Sequence, residues 1–308
     1  MLECKSLSLA YKSDGEVIRI IDSVDIVVDA GGITTVYGDR LSGKYYLIRV
    51  ITGLIKPTSG SVYIDGVLVN YRDEKGLNMI RRMVQTYFMD VSRSVPSGMT
   101  IKMYLDWLSR EFGVKEYGWL VSEVWSRYGI EPDILGRRVY ETPLHQLYII
   151  YVSSGLLANP KYMLLENPTG LINYAYRRII YRFITDLVDR YGVGLLITTS
   201  DKRLFKEIPG RKYILYRGRV IEEGGRDLPV NPLHPYAMDD LSVEDVSDIV
   251  DHTLVSEGLS KIFDWSSCPY MEECRYSRDE CMDDIGLYRY GDRRVRCVLY
   301  RDVNSDSH

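Results

Sequence analysis

Residues 36–54 read V-Y-G-D-R-L-S-G-K-Y-Y-L-I-R-V-I-T-G-L. Gly38, four residues, then Gly43-Lys44 is the spacing of a phosphate-binding P-loop. Ahead of it, residues 33–37 form a short apolar run that predicts a buried strand. Behind it, Leu47, Ile48, Val50, Ile51 and Leu54 recur at helical spacing. Strand, glycine loop and helix is the context this motif needs, because backbone N–H groups and a helix N-terminus then face a bound anion. Gly38, Ser42, Gly43 and Lys44 are the candidate anion-binding residues, with Lys44 acting as a point charge.

Two positions depart from that pattern. Residue 45 is Tyr where a Ser or Thr hydroxyl would ligate magnesium, and Tyr46 follows. A phenol on a bulky ring does not fit where a short hydroxyl sits against the metal. Leu41 stands where glycine would let a phosphate approach closely. Taken alone, the spacing could arise by chance, so the rest of the chain decides its meaning.

The chain has 308 residues, a formal net charge of -4 and 45% hydrophobic residues. That is enough for one large domain or two with a packed core. Charges of both signs are interspersed, which predicts neither a nucleic-acid-binding tail nor a polybasic membrane anchor. No apolar run reaches the ~18 residues of a spanning helix. Residues 1–12 lack the form of a signal peptide, so a cytosolic location is expected. Tyr and Arg are abundant, whereas Gln occurs only at 85 and 146, a bias in the direction of thermophiles.

Patterning along the chain gives an α/β order. Residues 2–11 and 17–28 predict a hairpin, and residues 29–32 turn the chain into the P-loop strand. Residues 61–64 and 67–69 flank Asp65-Gly66, a second hairpin signal. Residues 83–88 predict another strand. From 100 to about 155 the pattern turns helical: Ile101 to Phe112, then Leu120, Val121, Val124 and Trp125, then residues 147–157. Strands are expected at 161–166 and 194–199 around a long helix at 174–191 stopped by Gly192. A final hairpin is expected at 213–222 around Arg217-Gly218. A parallel α/β core with an antiparallel β layer and an inserted helical lobe accommodates this order.

Together these segments resemble the nucleotide-binding subunit of ATP-binding cassette (ABC) transporters over residues 2–225. The turn I-T-G-L-I-K-P-T-S-G-S-V-Y-I-D-G at 51–66 is close to the family's pattern. The family's Walker B strand falls on Y-M-L-L-E-N-P-T at 162–169, its D-loop on G-L-I-N at 170–173, and its switch strand on L-L-I-T-T-S at 195–200. The resemblance implies a P-loop NTPase fold of ABC type with an antiparallel β subdomain and a helical lobe at about 90–155. It also implies ATP as ligand, with Tyr11 where the family stacks an aromatic on adenine; a plain surface or core tyrosine is the alternative there.

Against the same alignment the catalytic groups are altered. Glu166 replaces the metal-directed Asp. Asn167 stands where a Glu should orient the attacking water, and an amide cannot take that proton. Ser200 replaces the switch His, and Asn173 the D-loop Asp. The signature L-S-G-G-Q aligns with T-P-L-H-Q at 142–146, where only Gln146 matches. Pro143 offers no N–H, and Leu144 and His145 add bulk. No Gln stands in register before the helical lobe; Gln85 or Asp90 is nearest. The expectation is a chain that kept the fold and lost hydrolysis, binding magnesium weakly or not at all.

The C-terminal part, residues 228–308, opens with N-P-L-H-P-Y at 231–236. It carries Cys268, Cys274, Cys281 and Cys297 as C-x5-C-x6-C-x15-C. Four thiols in a cytosolic tail predict a metal site before disulfides. Structural zinc favours paired C-x2-C knuckles, which are missing, so iron–sulfur ranks first, zinc second and free thiols third. The segment resembles the extension of oligopeptide/dipeptide transporter ATPases, which implies a [4Fe–4S] cluster on these four residues. Cys4 reads as a small buried hydrophobe, and His252 as a surface residue. The resemblance further implies an importer of peptides or oligosaccharides at the cytoplasmic face of the membrane. There the chain would pair as a heterodimer with a competent ATPase on two permeases served by a solute-binding protein, with no nucleic-acid partner. An active ATPase with unusual motifs and a soluble regulatory or redox-sensing protein are the competing readings.

Overall fold

The computed structural model describes residues 1–13, 16–242 and 267–302; His252 and most of the stretch 239–263 lie outside the described residues. In chain order the elements are β1 (Leu2–Ser13), β2 (Glu16–Val28), β3 (Ile33–Tyr37), α1 (Lys44–Ile51), β4 (Ser59–Ile64), β5 (Val67–Leu68), α2 (Glu74–Met83), β6 (Val84–Tyr87), α3 (Val91–Ser94) and α4 (Ile101–Phe112). There follow α5 (Leu144–Ser154), β7 (Tyr162–Glu166), α6 (Tyr174–Tyr191), β8 (Gly194–Thr199), α7 (Lys202–Glu207), β9 (Arg211–Tyr216), β10 (Arg219–Gly224), α8 (Pro235–Ser242), β11 (Tyr288–Tyr290) and β12 (Arg293–Val295). Two compact units result, one of residues 1–27, 33–68 and 198–308, the other of 28–32 and 69–197.

In the first unit β2, β1, β4 and β5 lie side by side in that order. Leu2, Cys4, Leu7 and Leu9 of β1 are buried, the alternation shifting phase where the register slips between Lys5 and Ser8. Cys4 is buried as expected, and burial pushes its thiol pKa well up. The turn between β4 and β5 puts both Asp65 (φ 52) and Gly66 (φ 79) in the left-handed region, which a two-residue hairpin of this kind demands.

The same unit carries β11, β12, β10, β9 and β3 as neighbours. β3 pairs in parallel with β9, Val36 opposite Tyr213, and all five of its residues are buried, as a strand covered on both faces requires. β9 and β10 form the expected hairpin around Arg217 and Gly218. β12 then adds to β10, with Glu222 opposite Val295, so the C-terminal residues extend this sheet. The P-loop helix ends sooner than its apolar pattern suggested. Thr52 caps it and its hydroxyl bonds back to the Ile48 carbonyl at 2.9 Å. Gly53 then turns left-handed (φ 75), and Leu54 leaves the buried stripe at 64% exposure.

In the second unit β6 and β7 pair in parallel, Val84 opposite Tyr162, with β8 beside β7. α6 spans the expected 174–191 and stops at Gly192, φ 66. The helix expected around 120–125 is two short turns, Leu120–Val124 and Trp125–Tyr128. Gly129 (φ 68) ends them, and so short a segment gains little from helical propagation. Trp125 is fully buried and its indole N–H donates to the Ser153 hydroxyl at 2.9 Å. α5 begins at Leu144, ahead of its apolar run. α2 was not legible: it buries only Gly76 and Ile80, and Asp73 caps it through the Gly76 N–H at 2.8 Å.

Candidate functional site

The phosphate loop lies within the first unit. A Cβ on Gly38 would collide with the Leu215 carbonyl oxygen and come within 2.6 Å of Ser42. The Gly38 N–H donates to Thr199 O at 3.2 Å, which seats the end of β8 against the loop. Gly43 is left-handed, φ 91, and a Cβ there would come within 2.5 Å of the Ile20 carbonyl oxygen. Both glycines are therefore sterically required. Ser42 is buried; its hydroxyl donates to Asp39 O at 2.8 Å and its carbonyl accepts the Gly218 N–H at 2.9 Å.

Lys44 opens α1 and donates to Asp39 O at 2.5 Å, so its ammonium lies back over the loop. The first turn of α1 holds no acid, which suits an anion at its N-terminus. Gly38, Ser42, Gly43 and Lys44 thus lie on one turn that leads into α1. Asp39, an unspecified position in the loop's spacing, also belongs to the loop's polar contacts. Its carboxylate accepts the Leu41 N–H at 2.9 Å. Burial raises its pKa, opposed by the charges of Lys44 and Arg217.

Tyr45 is 48% exposed. The Arg49 guanidinium stacks 3.2 Å above its ring centre and donates to the Tyr45 carbonyl at 2.8 Å. Tyr46 meets Tyr45 edge-on at 5.2 Å. Burial raises the Tyr46 pKa, reinforced by Tyr11 and Tyr45, so three tyrosines gather on the flank of the loop. Tyr11 is 43% exposed, open enough to stack on a base. Beyond β8, Ser200 is exposed, and Asp201 caps α7 through the N–H groups of Arg203 and Leu204, both at 3.0 Å.

In the second unit Glu166 ends β7 and is buried. Asn167 takes φ 42. Its side-chain amide donates to the Met89 sulfur at 3.3 Å, and its buried Oδ1 has no hydrogen-bond partner. A thioether is a weak acceptor, so this residue is held by fit more than by polar contacts. Asn173 caps α6 through the Ala175 N–H at 3.0 Å. Gln85 donates to the Arg81 carbonyl at 3.2 Å. Asp90 caps α3 and pairs with Arg93 at 3.1 Å. Pro143 is the N-cap of α5, with no side-chain cap. His145 stacks flat on Tyr176, 3.8 Å apart and 4° from parallel, and burial lowers its pKa.

The four tail cysteines lie in the first unit. The Cys268 N–H donates to Cys281 O at 2.8 Å. Burial raises the Cys297 thiol to about 11, and each of the other three cysteines adds to that rise. All four are free thiols. Four thiols are the donor type that an iron–sulfur or zinc site uses. In geometry they are not preformed: among the described residues no group of three or more His, Cys, Asp or Glu side chains stands ready to hold a metal ion.

The tail is fixed to the sheet by buried polar groups that the sequence reading did not single out. Arg219 of β10 pairs with Asp22 at 2.7 Å and Asp284 at 3.2 Å. Glu222, fully buried, accepts the Leu233 N–H at 3.0 Å and the His234 N–H at 2.9 Å.

Solved structures with this arrangement include a dimeric bacterial ABC transporter cassette, with a TM-score of 0.64 at 22% identity, covering 73% of this chain and 99% of that one. This is the ABC ATPase cassette fold. A second cassette, part of an ABC transporter complex of Clostridium perfringens, gives a TM-score of 0.64 at 20% identity, over 73% of this chain and 88% of that chain. In sequence the chain is related to ATP-binding subunits of ABC transporters. A methionine import ATP-binding protein of Carboxydothermus hydrogenoformans is 28% identical over 265 residues, 84% of this chain and 75% of that protein. A putative peptide import ATP-binding protein of Brucella abortus is 25% identical over 307 residues, 96% and 92% of the two chains. No protein-family profile matches the chain. Among the described residues no helix is long and apolar enough to cross a membrane.

Proposed function

We propose that the chain is an ATP-binding-type subunit of an ABC importer that binds nucleotide and hydrolyses it little or not at all. One observation carries this reading. The loop 38–44 keeps both required glycines and its lysine, while Tyr45 and Asn167 occupy the places of the metal ligand and the base. Tyr45 carries an arginine on its ring, and Asn167 leans on a thioether; neither arrangement favours a metal-bound triphosphate or an activated water. Relatives named for peptide and methionine import support a small peptide or amino-acid-like solute, with oligosaccharides as the alternative cargo. A competent second ATPase in a heterodimer would supply hydrolysis, on two permeases at the cytoplasmic face of the membrane.

Residues 1–227 would form the cassette and 228–308 an extension. In it Cys268, Cys274, Cys281 and Cys297 would hold a [4Fe–4S] cluster, or zinc in its place. Bound there, the cluster would staple a segment that has little apolar core of its own. Purification of the chain from its native membranes, with partners identified, tests the reading. The expected result is co-purification of a second ABC ATPase and two membrane permeases. Recovery of the chain alone, with no permease, would overturn it in favour of a soluble regulatory protein.

A further inference from the structure

We propose that Asp240, carried on α8, is a positioning residue for the phosphate loop, and that the cysteine-bearing tail acts on the loop through it. This rests on the reading of residues 38–44 as a nucleotide site. The contacts lie within the first unit. Asp240 Oδ2 accepts the Tyr37 hydroxyl at 2.5 Å, and Tyr37 is the last residue of β3 before Gly38. On its other side Asp240 meets Lys202: the ammonium donates to the Asp240 carbonyl at 2.8 Å and lies 3.6 Å from its Oδ1. Lys202 is the second residue after Ser200, the switch position. β8, which leads to Ser200, is itself held to the loop by the Gly38 N–H on Thr199 O. One residue of the C-terminal part thus meets both segments that frame the phosphate loop, Tyr37 through its carboxylate and Lys202 through its carbonyl and a longer ion pair.

The neighbouring residue faces the cysteines. Asp239 accepts the Tyr270 hydroxyl at 2.8 Å and pairs with Arg275. In sequence, Tyr270 lies between Cys268 and Cys274, and Arg275 follows Cys274 directly. The Tyr270 ring packs edge-on against Tyr236 of α8 at 5.5 Å and against Tyr216 at 5.8 Å. Tyr37, Phe205, Tyr216, Tyr236 and Tyr270 share one core, and Cys268 and Cys274 pack against it. Tyr37 stacks on Phe205 at 4.9 Å within that core. A close-packed core passes a displacement on instead of absorbing it. Loosening the cysteine turn should therefore shift α8, and with it the residue that holds Tyr37 and Lys202.

Amide exchange on the full chain tests this without requiring nucleotide. Asp240→Asn and Tyr37→Phe should each speed exchange across residues 38–44 by about tenfold, the scale of one hydrogen bond to a charged group. The double variant should add little to either single one, because Asn takes the charge from the contact that Phe removes. Cys274→Ser should speed exchange at 235–242 and 38–44 together, with no further effect on the loop when Asp240 is already Asn. Exchange in β6 and β7 should stay unchanged, which a general loss of structure would not allow. Should Cys274→Ser fail to fold, the Asp240 and Tyr37 variants still decide the positioning role. Exchange at 38–44 unaltered by Asp240→Asn, or a tail variant that loosens 267–300 and leaves the loop alone, would overturn the proposal. A parallel ADP titration separates the two readings: coupled exchange without any ADP binding would keep Asp240 as a positioning residue and remove the nucleotide assignment.

Discussion

Replacing Glu222 by Ala should weaken the attachment of the C-terminal part in a way that depends on pH. Glu222 is fully buried on β10, holds the Leu233 and His234 N–H groups, and has the Arg293 guanidinium 3.5 Å away. Its removal leaves two donors without a partner, at about 1–3 kcal/mol each for a buried group; the His234 N–H is the more deeply buried. Against this stands the penalty for burying the carboxylate itself. Burial raises the Glu222 pKa from 4.5 to about 7. A shift of that size corresponds to about 3 kcal/mol. The sign follows from the direction: the folded state prefers the protonated acid. Glu222's contribution is therefore fully present below about pH 4.5 and lost as pH rises through about 7.

The alanine variant should accordingly lose most stability near pH 4.5, about 3 kcal/mol, and little above pH 7.5. His234 runs the other way. Burial lowers its pKa from 6.5 to about 3, so its contribution is present above about 6.5 and lost as pH falls toward 3. It titrates in both proteins, and the difference between them isolates Glu222. Denaturant unfolding of wild type and variant from pH 4.5 to 8, followed by exchange at 231–242, is the assay. A loss larger at pH 8 would show that the ion pair with Arg293 dominates, and a loss flat with pH would show that neither charge nor burial governs this residue; either would refute this reasoning.

Three further outcomes are expected. ADP or ATP should bind with little change when magnesium is chelated, because Tyr45 offers no metal ligand, and Tyr45→Ser should restore a magnesium dependence; strong magnesium dependence in the wild type would count against the reading of this position. In the assembled importer, replacing the partner ATPase's catalytic glutamate by Gln should abolish transport, while Asn167→Glu in this chain should change it little; transport that survives the partner mutation would reverse the roles of the two subunits. Anaerobically purified protein should be brown with about four irons per chain, and stoichiometric zinc without iron or sulfide would replace the cluster by a zinc staple.

Much of the fold was legible where local chemistry and tertiary packing agree. Gly192 ends α6, Asp65-Gly66 and Arg217-Gly218 make tight hairpins, and the five-residue apolar run of β3 is buried throughout. α2 was missed because a polar helix that buries two residues leaves no apolar stripe to read. Leu54 misled because Gly53 breaks the helix before it. In the site, the spacing of Gly38, Gly43 and Lys44 announced the loop. Asp39 and Asp240 were invisible, since acidic residues in turns and on helices are the commonest surface features. The pairing of β10 with β12 and the packing of α8 bring the C-terminal residues to the core that includes Tyr37, and such long-range pairing has no signature in a local window.

Steady-state ATP turnover by the purified chain, alongside Lys44→Ala, tests the central claim most directly. Losing a general base typically lowers turnover by about two to four orders of magnitude. The expected result is a background rate that Lys44→Ala does not change, together with measurable nucleotide binding that the same substitution weakens. Sustained magnesium-dependent turnover that Lys44→Ala abolishes would contradict it and make this chain an active ATPase.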